Sequence, residues 1–354
     1  MKAGHEVKVF AEQRQVSGKD DTQKVEVPYV ECWNRNIGFS PMAVEVAEFK
    51  PDVLHIQHEF GLFCYTPPAA NNFLETMNRI KTPKVITYHS VPMAAVPRQF
   101  FADYFKDSNP MFGRKIFHSE VARQVATDNY KVTNSIHINH GVKLCSLLDQ
   151  KESKNILNID RDAIVLMSMG YFGGLKGVHE LIELFHKFKK THPNSKFLYV
   201  GGLHPPTAQY GKRYMLDCMK RIISLNLKDD FKITGYVPEQ ELPKYYSAAN
   251  IFILNYINSG YISASGCSAK LVAAKRPIIT TKGTFRNEEL VDGETCIKVN
   301  VGDIEGMLSS VEKFLENKEL YNSIVDGAFK YAGENSWENI SKKHVKEYEE
   351  VTIN

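Results

Sequence analysis

Short runs of apolar, β-branched residues alternate with longer stretches of helical period along most of the chain. Val7–Phe10, Val53–Gln57, Lys84–Tyr88, Lys115–His118 and Ser135–Asn139 read as strands. After a polar interval the series resumes with Ala163–Ser168, Lys196–Val200, Phe231–Thr234, Ile251–Leu254 and Pro277–Thr281. Between strands, the segment Val178–His192 repeats Val178, Leu181, Ile182, Phe185 and Phe188 at helical spacing, which gives one apolar face. Continuous apolar strands alternating with helices predict parallel sheets covered on both faces. The stretch Leu147–Asp162 is polar and aperiodic, and it reads as a connection. Trp337–Tyr348 predicts an amphipathic closing helix. The class is α/β, with two doubly wound domains facing a cleft and ligands expected at the carboxyl ends of the strands. The expected division is 1–146, a linker over 147–162, 163–335, and a closing helix over 336–354.

Composition narrows the function classes. The chain has 354 residues, 43% hydrophobic and 24% charged, as ordinary globular proteins do. Lys+Arg 44 against Asp+Glu 41 leaves a net charge of +3, too small a field for a dedicated nucleic-acid binder. Cys32, Cys64, Cys145, Cys218, Cys267 and Cys296 form no CxxC pair, which removes zinc ribbons and thioredoxin chemistry. Scattered single thiols fit a reducing cytoplasm. No apolar run approaches the roughly 20 residues of a bilayer span. The opening MKAGHEVKVF lacks the apolar core of a secretory signal.

Four segments carry candidate chemistry. Gly170–Gly177 (GYFGGLKG) follows a strand and precedes a strong helix. Glycines there let backbone N–H groups approach an anion, and Lys176 stands ready to neutralise a phosphate. A plain turn with a solvated lysine gives the same pattern. Ser259–Ser268 (SGYISASGCS) is a small, donor-rich loop at a helix start, where Ser263 and Ser265 could hold a diphosphate or simply cap the helix. Two such loops in one domain favour a nucleotide diphosphate.

The third segment is a set of histidines, His55, His58, His89, His118 and His140, at or near strand ends of the first domain. His55 and His58 are three apart on a strand and point to opposite faces, which disfavours a shared metal ion. His89, in ITYHSVP, ends a strand facing the cleft. Thr284–Gly293 (TFRNEELVDG) places Glu288 and Glu289 near another strand end, either to accept a sugar or ribose hydroxyl or to complement a helix dipole.

In this order the segments GHEVKVF, PDVLHIQHEFGLF, ITYHSVP, IHINHGV, GYFGGLKGVHELIELF, ITGYVPEQELPKYYSAANIFILNY and RPIITTKGTFRNEELVDGETCIKV resemble the retaining glycosyltransferases of the GT-B fold, family 4, glycosyl transferases group 1. The resemblance implies two Rossmann-like domains, with 1–146 on the acceptor side and 163–335 binding the nucleotide sugar. Three departures stand out. The position usually held by arginine is Tyr171, although Lys176 is kept. Ile262 and Lys270 stand where the family has paired glutamates, and Lys270 is a candidate for the missing cation. The chain also begins at the end of the family's first helix, so the N-terminal βα unit is expected to be missing.

The implied reaction moves a sugar from a UDP- or GDP-linked donor to an acceptor hydroxyl with retention of configuration. His89 and Lys176 are the expected catalytic residues. Gly173, Gly174, Tyr236, Val237, Ser263, Ser265, Gly266, Glu288 and Glu289 are the expected donor-binding residues. No metal or other cofactor is expected. The acceptor is a glycan or lipid-linked molecule, as in surface polysaccharide assembly. The expected place is the cytoplasm with peripheral membrane contact, for which the basic and aromatic segment Pro97–Lys115 is a candidate, although a packed helix–loop suits it better. The alternative is a degenerate GT-B-like protein that binds a sugar nucleotide or serves as a scaffold subunit.

Overall fold

The computed structural model describes residues 4–13, 27–34, 36–64, 66–93, 98–203, 208–257, 260–283 and 286–353. The chain divides into two compact units. One holds the residues up to Ile138 together with those from Lys343 onward, and the other runs from Asn139 to Lys342.

In the first unit, β1 (Val9–Glu12) and β2 (Tyr29–Trp33) form a parallel pair. β3 (Leu54–His58), β4 (Lys84–Tyr88), β5 (Arg114–Phe117) and β6 (Ser135–His137) form a separate parallel sheet in that order. Two of its helices start where short polar side chains satisfy free N–H groups. Thr66 accepts from Ala69 at the helix Pro67–Arg79, and Ser119 accepts from Ala122 at Glu120–Tyr130.

The second unit is a six-stranded parallel sheet of β7 (Ile164–Met169), β8 (Ser195–Val200), β9 (Phe231–Ile233), β10 (Ile251–Leu254), β11 (Ile278–Thr281) and β12 (Ile297–Val299). The spatial order is β9-β8-β7-β10-β11-β12. Strand order therefore reverses between β7 and β10, the switch point of a doubly wound sheet. Side chains alternate between two cores: Val165, Met167, Phe252 and Leu254 enter one, while Leu166, Ile251 and Ile253 enter the other. The helix Val178–Thr191 buries Val178, Leu181, Ile182, Leu184, Phe185 and Phe188, the face its spacing predicts.

The division differs from the expected one at two places. The stretch 147–162 is no free linker. Asp149 caps a helix over Gln150–Ile156, the Leu148 N–H donates to Ser247 Oγ at 2.9 Å, and Lys154 Nζ donates to the Ala163 carbonyl at 2.8 Å. This seven-residue helix is held by such bonds and has no apolar stripe, so periodicity could not reveal it. Residues 139–146 belong to the second unit, because Val142 exchanges backbone bonds with Asn335 and Trp337. Trp337 also lies against Gly141, where a Cβ would sit 2.3 Å from the indole. The closing helix Trp337–Ile353 passes from one unit to the other, and residues from Lys343 belong to the first. No helix among the described residues is long and apolar enough to cross a membrane.

Candidate functional site

The carboxyl ends of β7, β8 and β9 come together through glycine. Gly170 donates to the Val200 carbonyl at 3.0 Å, and a Cβ on Gly201 would lie 2.0 Å from the Gly170 oxygen. Gly201 and Gly235 bridge the next pair. Only residues without side chains allow this backbone approach. Beyond Gly170 the loop makes one 3₁₀ turn over Gly174–Lys176 and enters the helix Val178–Thr191 through Gly177 at φ +50°. Gly177 offers this helix no capping side chain; the Val178 N–H donates to the Tyr214 hydroxyl at 3.1 Å, and the Asn255 amide donates to the Gly177 carbonyl at 2.9 Å, tying the loop to the end of β10. The switch point thus gathers a glycine-rich loop, a helix start and the residues after β10.

Lys176 is folded back into this place. Its Nζ lies 4.1 Å from the ring centroid of Tyr256 and 3.9 Å from Cys267 Sγ. Tyr256 is fully buried, and its hydroxyl shares a short hydrogen bond with Ser265. Among the described residues Lys176 has no carboxylate partner. Burial lowers its pKa, and the charge of Arg286 lowers it further. The Arg286 guanidinium lies 5.7 Å from the same Tyr256 ring. Lys270, the expected second cation, is engaged elsewhere. It reaches Glu239 at 3.4 Å, which also pairs with Lys143 at 3.0 Å, and the three residues help line a hollow of about 290 Å³ with Tyr246 and Cys145. Arg286 escaped the sequence reading although it lies in the quoted TFRNEE segment, because its approach to Tyr256 spans thirty residues of chain and has no sequence period.

The other expected donor residues surround this centre unevenly. Gly173 and Gly174 are open, with no other group closer than Tyr214 Cε2 at 4.0 Å from a Cβ built on Gly174. Ser265 is buried and caps the helix Gly266–Leu271 by accepting from the Ser268 N–H at 3.3 Å, so its hydroxyl is committed to the protein. Ser263 ends the extended stretch Tyr261–Ser263 and is half-buried, Gly266 is exposed, and Ser259 lies outside the described residues.

Glu289 accepts from Ser268 Oγ at 3.2 Å through Oε1, while Oε2 is buried without a partner. Burial pushes its carboxyl up to about 7. Glu288 is half-buried beside it, and Thr284 lies outside the described residues. Tyr236 is 62% exposed at the end of β9, whereas Val237 packs against the core.

The first unit sets His89 against His118 and places His55 and His58 on opposite faces of its sheet. His89 Nε2 meets Gln57 Oε1 at 2.8 Å, and its ring stands edge-to-face on His118 at 4.8 Å. His118 Nδ1 bonds the Ile138 carbonyl at 2.9 Å. His58 is buried in the aromatic core against Tyr104, 2.9 Å from its hydroxyl, and His55 on the other face meets Tyr348 and Thr87 at 2.7 and 2.8 Å. Burial holds both rings neutral, with pKa near 3. His140 falls in the second unit, with its ring 5.7 Å from that of Trp337. In the segment Pro97–Lys115, Pro97 is outside the described residues. Phe101, Tyr104, Phe105 and Phe112 are buried, as in a packed helix–loop.

The model of the glycosyl transferases group 1 family matches residues 149–331 of this chain, the stretch that holds the switch-point loops. The chain belongs to that family. The capsular polysaccharide biosynthesis glycosyltransferase CapM of Staphylococcus aureus is 25% identical over 159 residues, 44% of this chain and 38% of CapM. Mannosylfructose-phosphate synthase of Agrobacterium fabrum is 25% identical over 183 residues, 51% of this chain and 39% of the synthase. The match spans well under half of these relatives' length.

Among solved structures, Anabaena HepE in complex with UDP and glucose superposes with a TM-score of 0.73 at 14% identity, covering 92% of this chain and 86% of HepE. Sucrose-phosphate synthase from Thermosynechococcus elongatus gives 0.78 at 15% identity, covering 99% and 90%. Such likeness establishes the GT-B type of fold, two Rossmann-like domains, for this group 1 chain.

Proposed function

We propose that the chain transfers a sugar from a nucleotide-diphosphate sugar to an acceptor hydroxyl with retention of configuration, as a hexosyltransferase of family 4 type. The observation that carries this reading is Lys176, enclosed at the switch point without a carboxylate partner among the described residues. An enclosed ammonium favours an anionic ligand, and the charge that develops on a leaving diphosphate is where such a group lowers a barrier most. Gly173 and Gly174 offer backbone N–H groups to the same phosphates. Ser263 and Gly266 border them, and Ser265 keeps their loop in shape. The backbone at Tyr236 and Val237 faces the base, and Glu288 and Glu289 accept donor hydroxyls. His89 acts on the donor sugar, a role that rests on the resemblance of its strand end. Lys176 and the helix start do the work of a divalent metal, so none is required. The acceptor is a glycan or lipid-linked hydroxyl, met in the cytoplasm at the membrane surface.

Calorimetry of the full chain against UDP, GDP and their sugars, with and without magnesium, tests the reading. Saturable binding independent of magnesium is expected, weakened at least about 10-fold in Lys176→Ala, the scale of one lost charge-assisted hydrogen bond. A well-folded chain that binds none of them would overturn it.

A further inference from the structure

We propose that Arg286 is the second cation of the diphosphate site and grips the phosphates together with Lys176 from the opposite loop. This inference rests on the donor reading above and deepens it. The Gly170–Gly177 loop has one charged residue, Lys176, because Tyr171 beside it is uncharged and 58% exposed. A nucleoside diphosphate carries more charge than one ammonium balances.

The structure brings a guanidinium to the same ring. Lys176 Nζ and Arg286 Cζ lie 4.1 and 5.7 Å from the Tyr256 centroid. The two charges are thus no more than about 10 Å apart, one Debye length at 0.1 M salt. Each is also attracted by the ring itself. Arg286 lowers the pKa of Lys176, so the two repel across the site. A diphosphate within reach of both charges would offset that repulsion.

The surroundings hold both in place. Tyr256 is fully buried, and its backbone N–H and carbonyl are both bonded by Thr281 Oγ1, at 3.0 and 2.8 Å. Arg286 is followed by Asn287, fully buried with φ +58°, whose amide donates to Thr280 Oγ1 at 3.1 Å. This anchor fixes the chain just beyond β11, the strand that pairs with β10. A planar guanidinium there can give two parallel N–H bonds to one phosphate, which an ammonium cannot. Lys176 is then a point charge, and Arg286 sets orientation.

The test compares UDP and GDP with their nucleosides and with inorganic pyrophosphate, by calorimetry on wild type, Arg286→Gln and Arg286→Lys. In Arg286→Gln, affinity for the diphosphates and for pyrophosphate is expected to fall about 10- to 100-fold, while nucleoside affinity is unchanged. The salt dependence of diphosphate binding also becomes shallower. Arg286→Lys recovers part of the loss, because charge returns without the fork. Unchanged nucleoside binding and an unchanged melting curve show that the Gln variant is folded. If Arg286→Gln binds diphosphates as tightly as wild type, the role of Arg286 is overturned and the donor reading stands. If wild type binds neither diphosphate nor pyrophosphate, the donor reading falls and takes this inference with it.

Discussion

Glu289 keeps its proton up to near-neutral pH because its carboxyl is buried: Oε1 accepts from Ser268, Oε2 has no partner, and the pKa rises from 4.5 to about 7. The folded state binds this proton more tightly than the unfolded chain. Glu289 therefore stabilises the fold most below pH 4.5, and that contribution is lost as the pH rises to about 7. Glu289→Gln removes the titration while keeping most of the shape. Melting curves should show the variant gaining on wild type from pH 4.5 to 7 and holding a constant lead above, of roughly 3 kcal/mol at most. A lead that does not change with pH would contradict this.

At this scale the sequence was half legible. Lys176 could be singled out because glycines bracket it in one loop. Arg286 could not, because what makes it notable is a ring that another strand supplies. Ser265 is the converse case. Its residue type suits both a ligand and a cap, and only the bonds to Ser268 and Tyr256 show that the hydroxyl is committed to the protein.

The elements were more legible where they are long and buried. β4 and β10 fall on the residues their apolar runs predict, and β3, β5, β7 and β8 shift by a single residue at one or both ends. β1 begins two residues later than its run. β2 and β12 carry no pattern that marks a strand. One is YVECW, with a cysteine and a glutamate in five residues, and the other is a three-residue edge strand, too short for any period to register.

The glycine contact between β7 and β8 is the element feature most open to test. Gly201→Ala forces a Cβ to 2.0 Å from the Gly170 oxygen at φ +149°, so the strand ends must part. A loss of at least about 3 kcal/mol is expected, in the tail reserved for backbone strain and overpacking. Gly174→Ala meets nothing nearer than 4.0 Å and should stay within about 0.5 kcal/mol. Equal denaturation midpoints for the two variants would show that the strand ends are not in contact.

At the scale of the whole molecule, the expected boundaries failed where one helix serves both units. Composition and period mark Trp337–Tyr348 as one helix, and nothing in them says that its second half returns to the first unit. That return is made by Arg114, which reaches Glu347 at 2.6 Å and also bonds Glu350. Tyr348 and His344 cover His55 alongside it. Arg114→Ala should cost about 1 kcal/mol, since these pairs are partly exposed. Hydrogen exchange should speed up at 343–353 and stay unchanged in the six-stranded sheet; uniform change would contradict a local role.

The same return sets an order on the making of the protein. Arg114 leaves the ribosome 236 residues ahead of Glu350. At roughly 5–20 residues per second, the first unit waits some tens of seconds with one face uncovered while the whole second unit is translated and begins to fold. The unit that emerges first is completed last, and a holdase that recognises the uncovered face around His55 has that interval in which to act.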